Sequence, residues 1–258
     1  MKEFFDKLIS EWWGITAICV VCAAVWILLS ALLYRVAFKR FYDILLSGIA
    51  IAVFSPLLLI LTIVGAIKMK GNPFFTQKRP GKIKKRTGTE RIFKLIKFRT
   101  MTCEKDENGE LLPDEQRLTR YGKFLRSTSL DELPELFNIF VGHMSIVGPR
   151  PLLVKDMVFM TAEQRVRHKV RQGLTGLAQI NGRNNIDWDK KLQYDLDYVG
   201  KITLWRDIAI IIKTAIKVFS RADINRQGTA SDMDYGDWLL AEGRITREEY
   251  DEILFSAK

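Results

Sequence analysis

The sequence is short of the residues that build metal centres and covalent frameworks: its 258 residues include two histidines and three cysteines. Three cysteines are too few for a disulfide scaffold. Cys19 and Cys22 have CxxC spacing, but they lie inside an uncharged apolar run, where small lipid- or helix-facing residues are the expected reading. Cys103 stands alone in polar sequence. His143 and His168 are far apart and have no neighbours of ligand type, which argues against zinc. Acid is scarce as well: 30 Asp and Glu against 40 Lys and Arg leave a net charge of +10. That balance implies a polyanionic partner such as anionic lipid, a phosphorylated substrate or nucleic acid. No recognised nucleic-acid module is present, so nucleic acid is not expected as a partner.

Charge is absent altogether from Trp12 to Tyr34 and from Ile44 to Ile67. Each run exceeds the roughly 20 residues a helix needs to cross a bilayer. The first lacks a small-residue cleavage site and is edged by Trp12, Trp13 and Tyr34, as a genuine span would be. The second has Ser55-Pro56 at its middle, and proline removes a backbone donor. Arg35, Lys39 and Arg40 precede it, and Lys68, Lys70, Lys78 and Arg79 follow. Positive charge marks the cytoplasmic side, so both ends read as cytoplasmic. A helix that dips in, breaks at Ser55-Pro56 and returns fits that pattern; a hairpin with both halves spanning is the alternative. Re-entry places the N-terminal tail outside and everything after Lys68 in the cytoplasm.

From Lys68 to Arg99, twelve lysines and arginines surround one acid, Glu90. Beside a membrane segment such a belt holds a protein against anionic membrane lipids. Arg91 to Arg99 alternates imperfectly and predicts a short strand, and Lys105 to Glu115 predicts a polar surface loop. A helical pattern follows around Leu118 to Leu125. Ile202 to Phe219 has apolar helical spacing with Lys213 and Lys217 opposite, fitting a core or an interfacial helix equally. The pattern from Trp238 to Leu254 is of the kind that docks a partner or a second copy of the chain, a homo-oligomer.

Chemistry concentrates between Leu125 and Leu136. Leu133, Leu136, Phe137 and Phe140 recur at helical spacing and predict a buried stripe. Pro134 is tolerated only in a first turn, so Asp131 is expected at or beside the N-cap. Two readings stay open. Ser129 to Glu132 matches a capping box; alternatively Asp131, Glu132 and Glu135 form a hard-oxygen site for Mg²⁺, with a carboxylate as phosphoryl-accepting nucleophile. Arg126 and Arg150 are placed to hold an anionic substrate, Arg150 being fixed by the flanking prolines of Gly148-Pro149-Arg150-Pro151. Gln179, Asn181 and Arg183, in the glycine-rich run Gly173 to Asn184, offer donors for a nucleotide or diphosphate.

Together these segments resemble the bacterial sugar transferase family, the monotopic phosphoglycosyl transferases. The resemblance runs from about Lys39 to Phe219. It is carried by Lys39 to Asp43, Ser55-Pro56, Asn72 to Gly81, Lys97 to Met101, Ser129 to Pro134, Met144 to Pro151 and Gly173 to Asn184. It implies a re-entrant helix broken at Ser-Pro and a two-step reaction. Asp131 would attack the β-phosphate of a UDP-sugar, releasing UMP; polyprenyl phosphate would then take the phosphosugar from the enzyme. Glu132, with Asp131, would hold Mg²⁺, and Lys97 and Arg99 join the expected substrate-binding residues. Glu135 stands where a glutamine is usual, His143 where an aspartate is usual, and Gln172 where a proline is usual. The chief rival is a non-catalytic, membrane-anchored scaffold for anionic lipid or polymer.

The expected architecture is membrane-associated α/β. It comprises a tail (1–11), a transmembrane helix (12–34), a re-entrant helix (39–67), a small mixed α/β cytoplasmic catalytic domain with interfacial amphipathic helices (68–220), and a C-terminal helical extension (221–258). The expected location is the bacterial inner membrane, with catalysis on its cytoplasmic face.

Overall fold

The computed structural model describes residues 2–182, 186–220 and 233–256. Helix α1 (Lys2–Leu32) is followed by a π-helical turn (Tyr34–Phe38) that passes directly into α2 (Lys39–Lys68). Both α1 and the run from Tyr34 through Lys68 are long and apolar enough to cross a membrane. The chain is membrane-associated α/β.

Contrary to the expected break, α2 is unbroken across Ser55-Pro56. Pro56 has no N–H to give the Ala52 carbonyl, but the Ser55 hydroxyl donates to that oxygen at 2.8 Å. A carbonyl left unpaired in lipid would be costly, and the preceding serine supplies the missing donor.

Both flanks of this helix pack against the same domain. Near its start, Arg40 donates to the carbonyls of Ile139 and Phe140. The buried Asp43 accepts from Ser145 Oγ and the Ile146 N–H at 3.0 and 2.9 Å. Near its end, Leu58 and Leu61 pack with Phe98 and Leu125, and Tyr121 donates to the Leu61 carbonyl. Between these anchors, residues 52–56 are all exposed.

An antiparallel hairpin follows, β1 (Phe74–Ile83) and β2 (Glu90–Phe98), with Phe75 opposite Lys97 and a bulge between Pro80 and Ile83. Phe93 and Leu95 lie buried under α5 (Glu135–Phe140), and Phe98 stacks on Phe74. The imperfect alternation of β2 thus has a cause: its two ends are covered by different layers. A short helix α3 (Asp114–Arg117) ends the polar loop, and α4 (Arg120–Thr128) starts at Thr119, whose hydroxyl accepts from the Gly122 N–H. A parallel pair, β3 (Ser145–Val147) and β4 (Gly173–Thr175), encloses α6 (Val154–Val158) and a 3₁₀ turn (Gln164–Lys169).

After α7 (Leu177–Ile180) come α8 (Trp188–Gly200) and α9 (Leu204–Ser220). Helix α9 is both core and surface: Ile210 and Asp207 are buried, whereas Trp205, Ile212 and Ile216 are exposed. Asp207 accepts from Tyr34, Lys39 and Tyr198, tying α9 to the start of α2. The extension, α10 (Tyr235–Ala241) and α11 (Arg247–Ser256), docks on its own chain through Tyr235 on Trp188 and Tyr250 on Phe159.

The expected buried stripe on α5 is corrected. Leu136 and Ile139 are buried, but Phe137 and Phe140 are 43% and 46% exposed. The buried face carries the polar Glu135 and Asn138 beside Leu136 and Ile139, so apolar spacing could not tell the core face from the outer one.

Candidate active site

Asp131 and Glu132 sit in a 3₁₀ turn (Leu130–Glu132) wedged between α4 and α5. Ser129 makes the wedge: it ends α4 in the left-handed conformation, φ +56°, and redirects the chain. Leu130 packs against the Phe98–Leu125 cluster and Leu133 reaches both hairpin clusters, which leaves the two intervening carboxylates partly buried outside those apolar clusters. Pro134 stands at the N-cap of α5, and neither Ser129 nor Asp131 makes a capping hydrogen bond. The expected N-cap position of Asp131 is therefore corrected, and the capping role is not used.

The carboxylates meet cations from distant parts of the chain. Lys97 on β2 donates to Glu132 at 2.8 Å and lies 3.1 Å from Glu135. Arg150 donates to the same Glu132 oxygen at 3.0 Å. Burial opposes the charge on Lys97, yet Glu132 and Glu135 outweigh it and hold the ammonium pKa above the ordinary lysine value. Burial, then Glu132, pushes the Asp131 carboxyl up despite Lys97, Arg150 and Arg126. Burial raises Glu135 further, to about 7. No hydrogen bond or ion pair engages the Asp131 side chain among the described residues. Such an oxygen is available to a reacting group.

Other groups hold these in place. Arg126 Nε donates to Thr100 Oγ1 at 3.1 Å, and α4 approaches so closely that a Cβ on Gly122 would lie 1.9 Å from the Thr100 carbonyl oxygen. Gly148, Gly173 and Gly176 let the loop carrying Arg150 press against the Gly173–Gly176 loop: a Cβ on Gly176 would stand 2.1 Å from Gly148 O. Arg167, fully buried and paired with Asp195 at 2.8 Å, donates to the backbone carbonyl of Arg150. His168 beside it is held neutral, its pKa lowered to about 3 by burial and then by Arg167. Asn138 replaces a missing strand partner for β2, accepting from the Ile96 N–H at 3.0 Å and donating to Lys94 O at 2.8 Å.

Of the expected residues, Asp131, Glu132, Arg150 and Lys97 come together, with Arg126 in their electrostatic field. Arg99 is half-buried and ties its backbone to Pro73, and its side chain makes no bond to the carboxylates among the described residues. Gln179 lies against Gly176 with both amide atoms buried and unpaired, while Asn181 donates to Leu177 O. Neither joins the carboxylate cluster by a hydrogen bond among the described residues, and Arg183 lies outside them. Ser55 and Pro56 are remote from this chemistry, in α2.

Sequence reasoning grouped Glu135 with the two carboxylates but did not select Arg79, Asn138, Arg167 or Asp195. Arg79 donates to Pro151 O and Gln77, and burial and then Arg150 lower its pKa to about 10. The sequence signal for Arg79 was the basic belt itself, where nothing local separates it from its neighbours.

Among the described residues, no group of three or more His, Cys, Asp and Glu side chains could hold a metal ion. Mg²⁺ needs less, since it usually keeps water and takes one or two carboxylates plus phosphate oxygens. The unengaged Asp131 oxygens beside Glu132 fit that habit. A broad depression of about 800 Å³, lined by residues including Glu163, Gln193, Asp197 and Arg206, shares no residue with this cluster.

Comparison with known proteins identifies the family. The family model described as "Bacterial sugar transferase" matches residues 33–221. The chain is 43% identical over 180 residues to an uncharacterized sugar transferase, EpsL, of Bacillus subtilis, covering 70% of this chain and 86% of that protein. It is 39% identical over 195 residues to a UDP-glucose:undecaprenyl-phosphate glucose-1-phosphate transferase of Klebsiella pneumoniae, covering 72% of this chain but 41% of that longer protein. With an undecaprenyl-phosphate galactose phosphotransferase of Salmonella typhimurium it shares 36% identity over 203 residues, covering 72% and 41% respectively.

Proposed function

The chain belongs to the bacterial sugar transferase family, and we propose that it moves a sugar 1-phosphate from a UDP-sugar to polyprenyl (undecaprenyl) phosphate on the cytoplasmic face of the bacterial inner membrane. The observation that carries this reading is a partly buried Asp131 with no hydrogen bond or ion pair among the described residues, beside a Glu132 held by Lys97 and Arg150.

In the first step an Asp131 oxygen attacks the β-phosphorus, and the bond from that phosphorus to the bridging oxygen breaks, releasing UMP. The product is an acyl phosphate joining Asp131 to the sugar phosphate. In the second step a phosphate oxygen of the polyprenyl carrier attacks the same phosphorus and expels the Asp131 carboxylate. Arg150 offers a guanidinium that is 39% exposed at the cluster's edge, suited to charge-assisted bonds with a diphosphate. Lys97 adds fixed positive charge below it. Mg²⁺, held by Asp131 and Glu132 with the substrate, would neutralise the diphosphate as charge moves to UMP.

The reaction needs a lipid carrier, and α2 supports re-entry. A straight 30-residue helix is about 45 Å long, enough to put its ends on opposite faces of a bilayer. Instead, residues on both sides of Pro56 are anchored to one domain while 52–56 are exposed. Two anchors to one domain on either side of an exposed apolar stretch suit a helix whose two ends lie at the same membrane face.

The test is UMP release by detergent-solubilised protein with Mg²⁺ and a panel of UDP-sugars, with and without undecaprenyl phosphate, beside Asp131→Asn. UMP release from one sugar, turned over only with the carrier and lost in the variant, is expected. Full turnover by folded Asp131→Asn would refute the nucleophile assignment. No UMP from any sugar would favour the scaffold reading.

A further inference from the structure

At the turn end of the β1–β2 hairpin, facing the C-terminus of α5, lies a cleft of about 200 Å³. Lys82, Lys84, Arg91, His143 and Arg171 line it, and it shares no residue with the Asp131 cluster. None of its four lysine and arginine side chains pairs with a carboxylate among the described residues. The nearby acid Glu90 is committed to Arg165 and His168. Burial lowers the Lys82 ammonium pKa, and Arg171, Lys85 and Arg35 add to the effect, all cations. His143 stacks on Phe93 at 5.7 Å and has a buried Nδ1 with no partner. Like charges held together without counter-charge are relieved by a bound anion.

The cleft also has a position relative to the membrane. Arg171 donates to the Gly142 carbonyl and Arg40, at the start of α2, to those of Ile139 and Phe140. The rim therefore adjoins a membrane helix. Next to Gly142, Phe140 and Val141 are 46% and 62% exposed, and Val36 before α2 is 88% exposed. Free phosphate has no use for that apolar collar. A phospholipid satisfies both parts, with its phosphate among the cations and its acyl chains on the collar.

We propose that this cleft binds the phosphate of an anionic membrane phospholipid, with Lys82, Arg91 and Arg171 contacting the head group and Phe140 and Val141 the acyl chains. The site does not depend on the transferase reading. It pins the hairpin to the bilayer at the far end of the strand that carries Lys97.

Native mass spectrometry of the full chain in detergent tests this, titrating phosphatidylglycerol or phosphatidylcholine with inorganic phosphate as competitor. The variants are Lys82→Glu/Arg91→Glu and a charge-matched control, Lys190→Glu/Arg247→Glu, at sites 68% and 66% exposed. The expected result is preferential phosphatidylglycerol retention, weakened about tenfold or more in the first pair and kept in the control. Should the first pair fail to fold, Lys82→Gln/Lys84→Gln, at two exposed positions, is expected to weaken retention in the same direction. Equal retention of the two lipids, or equal loss in the control, overturns the proposal. So does displacement of the lipid by millimolar inorganic phosphate, which would make this a free-phosphate site.

Discussion

Glu135 gives the sharpest quantitative test of the site's electrostatics. Its side chain is 4% exposed, and its pKa is raised from 4.5 to about 7, chiefly by burial, although Lys97 stands 3.1 Å away. A raised carboxyl pKa means that the folded state holds its proton while the unfolded chain releases it. Below about pH 4.5 both states are protonated and the group has no effect on stability. Between that point and about pH 7 the unfolded state gains from ionisation, and stability falls as pH rises. Above pH 7 both are ionised and the loss levels off. At 1.36 kcal/mol per pH unit the full loss is about 3 kcal/mol, already net of the attraction to Lys97. Glu135→Gln keeps the shape and cannot ionise. The variant should therefore gain on the wild type progressively from pH 4.5 to 7.5. In a chain of this size the gain corresponds to about 6–12 °C in Tm, read by thermal unfolding in one detergent at one scan rate. A difference between the two proteins that is flat with pH would show Glu135 ionising normally, with Lys97 outweighing burial.

Two further predictions concern the supports of the site. Asn138→Leu leaves the Ile96 N–H and Lys94 carbonyl without partners and should cost about 2–4 kcal/mol, visible as a lowered Tm with Lys97-dependent activity reduced; an unchanged Tm would refute the strand-edge role. Gly122→Ala places a methyl group 1.9 Å from the Thr100 carbonyl oxygen, so α4 must shift; turnover should fall with Arg126 displaced, and full activity at wild-type Tm would contradict the close approach.

Much of the site was legible because its chemistry is written in short runs. Asp131-Glu132 followed by Pro134 announces a turn before a helix, and the prolines around Arg150 announce a fixed arginine. The first run does not say which of its two open readings holds. The capping reading fell because of Ser129, whose left-handed backbone redirects the chain and which makes no side-chain capping bond. Lys97 could be suspected as a cation in a strand, but its pairing with Glu132 and Glu135 depends on how α5 lies over the hairpin. Arg167 and Asp195 left no local trace, since each matters through a partner in a distant segment.

The apolar runs, the basic belt and the acidic turn were decided by the sequence alone, because hydrophobicity, charge and proline geometry act over a few neighbouring residues. Tertiary structure alone decided which face of α5 is buried, how Pro56 is accommodated, and which cations meet which carboxylates. Those outcomes depend on contacts between residues far apart in the chain: Asp43 with Ile146, Lys97 with Glu132, and Leu58 with Phe98. No local pattern encodes such pairs, because burial and partnership arise only when the layers close on one another.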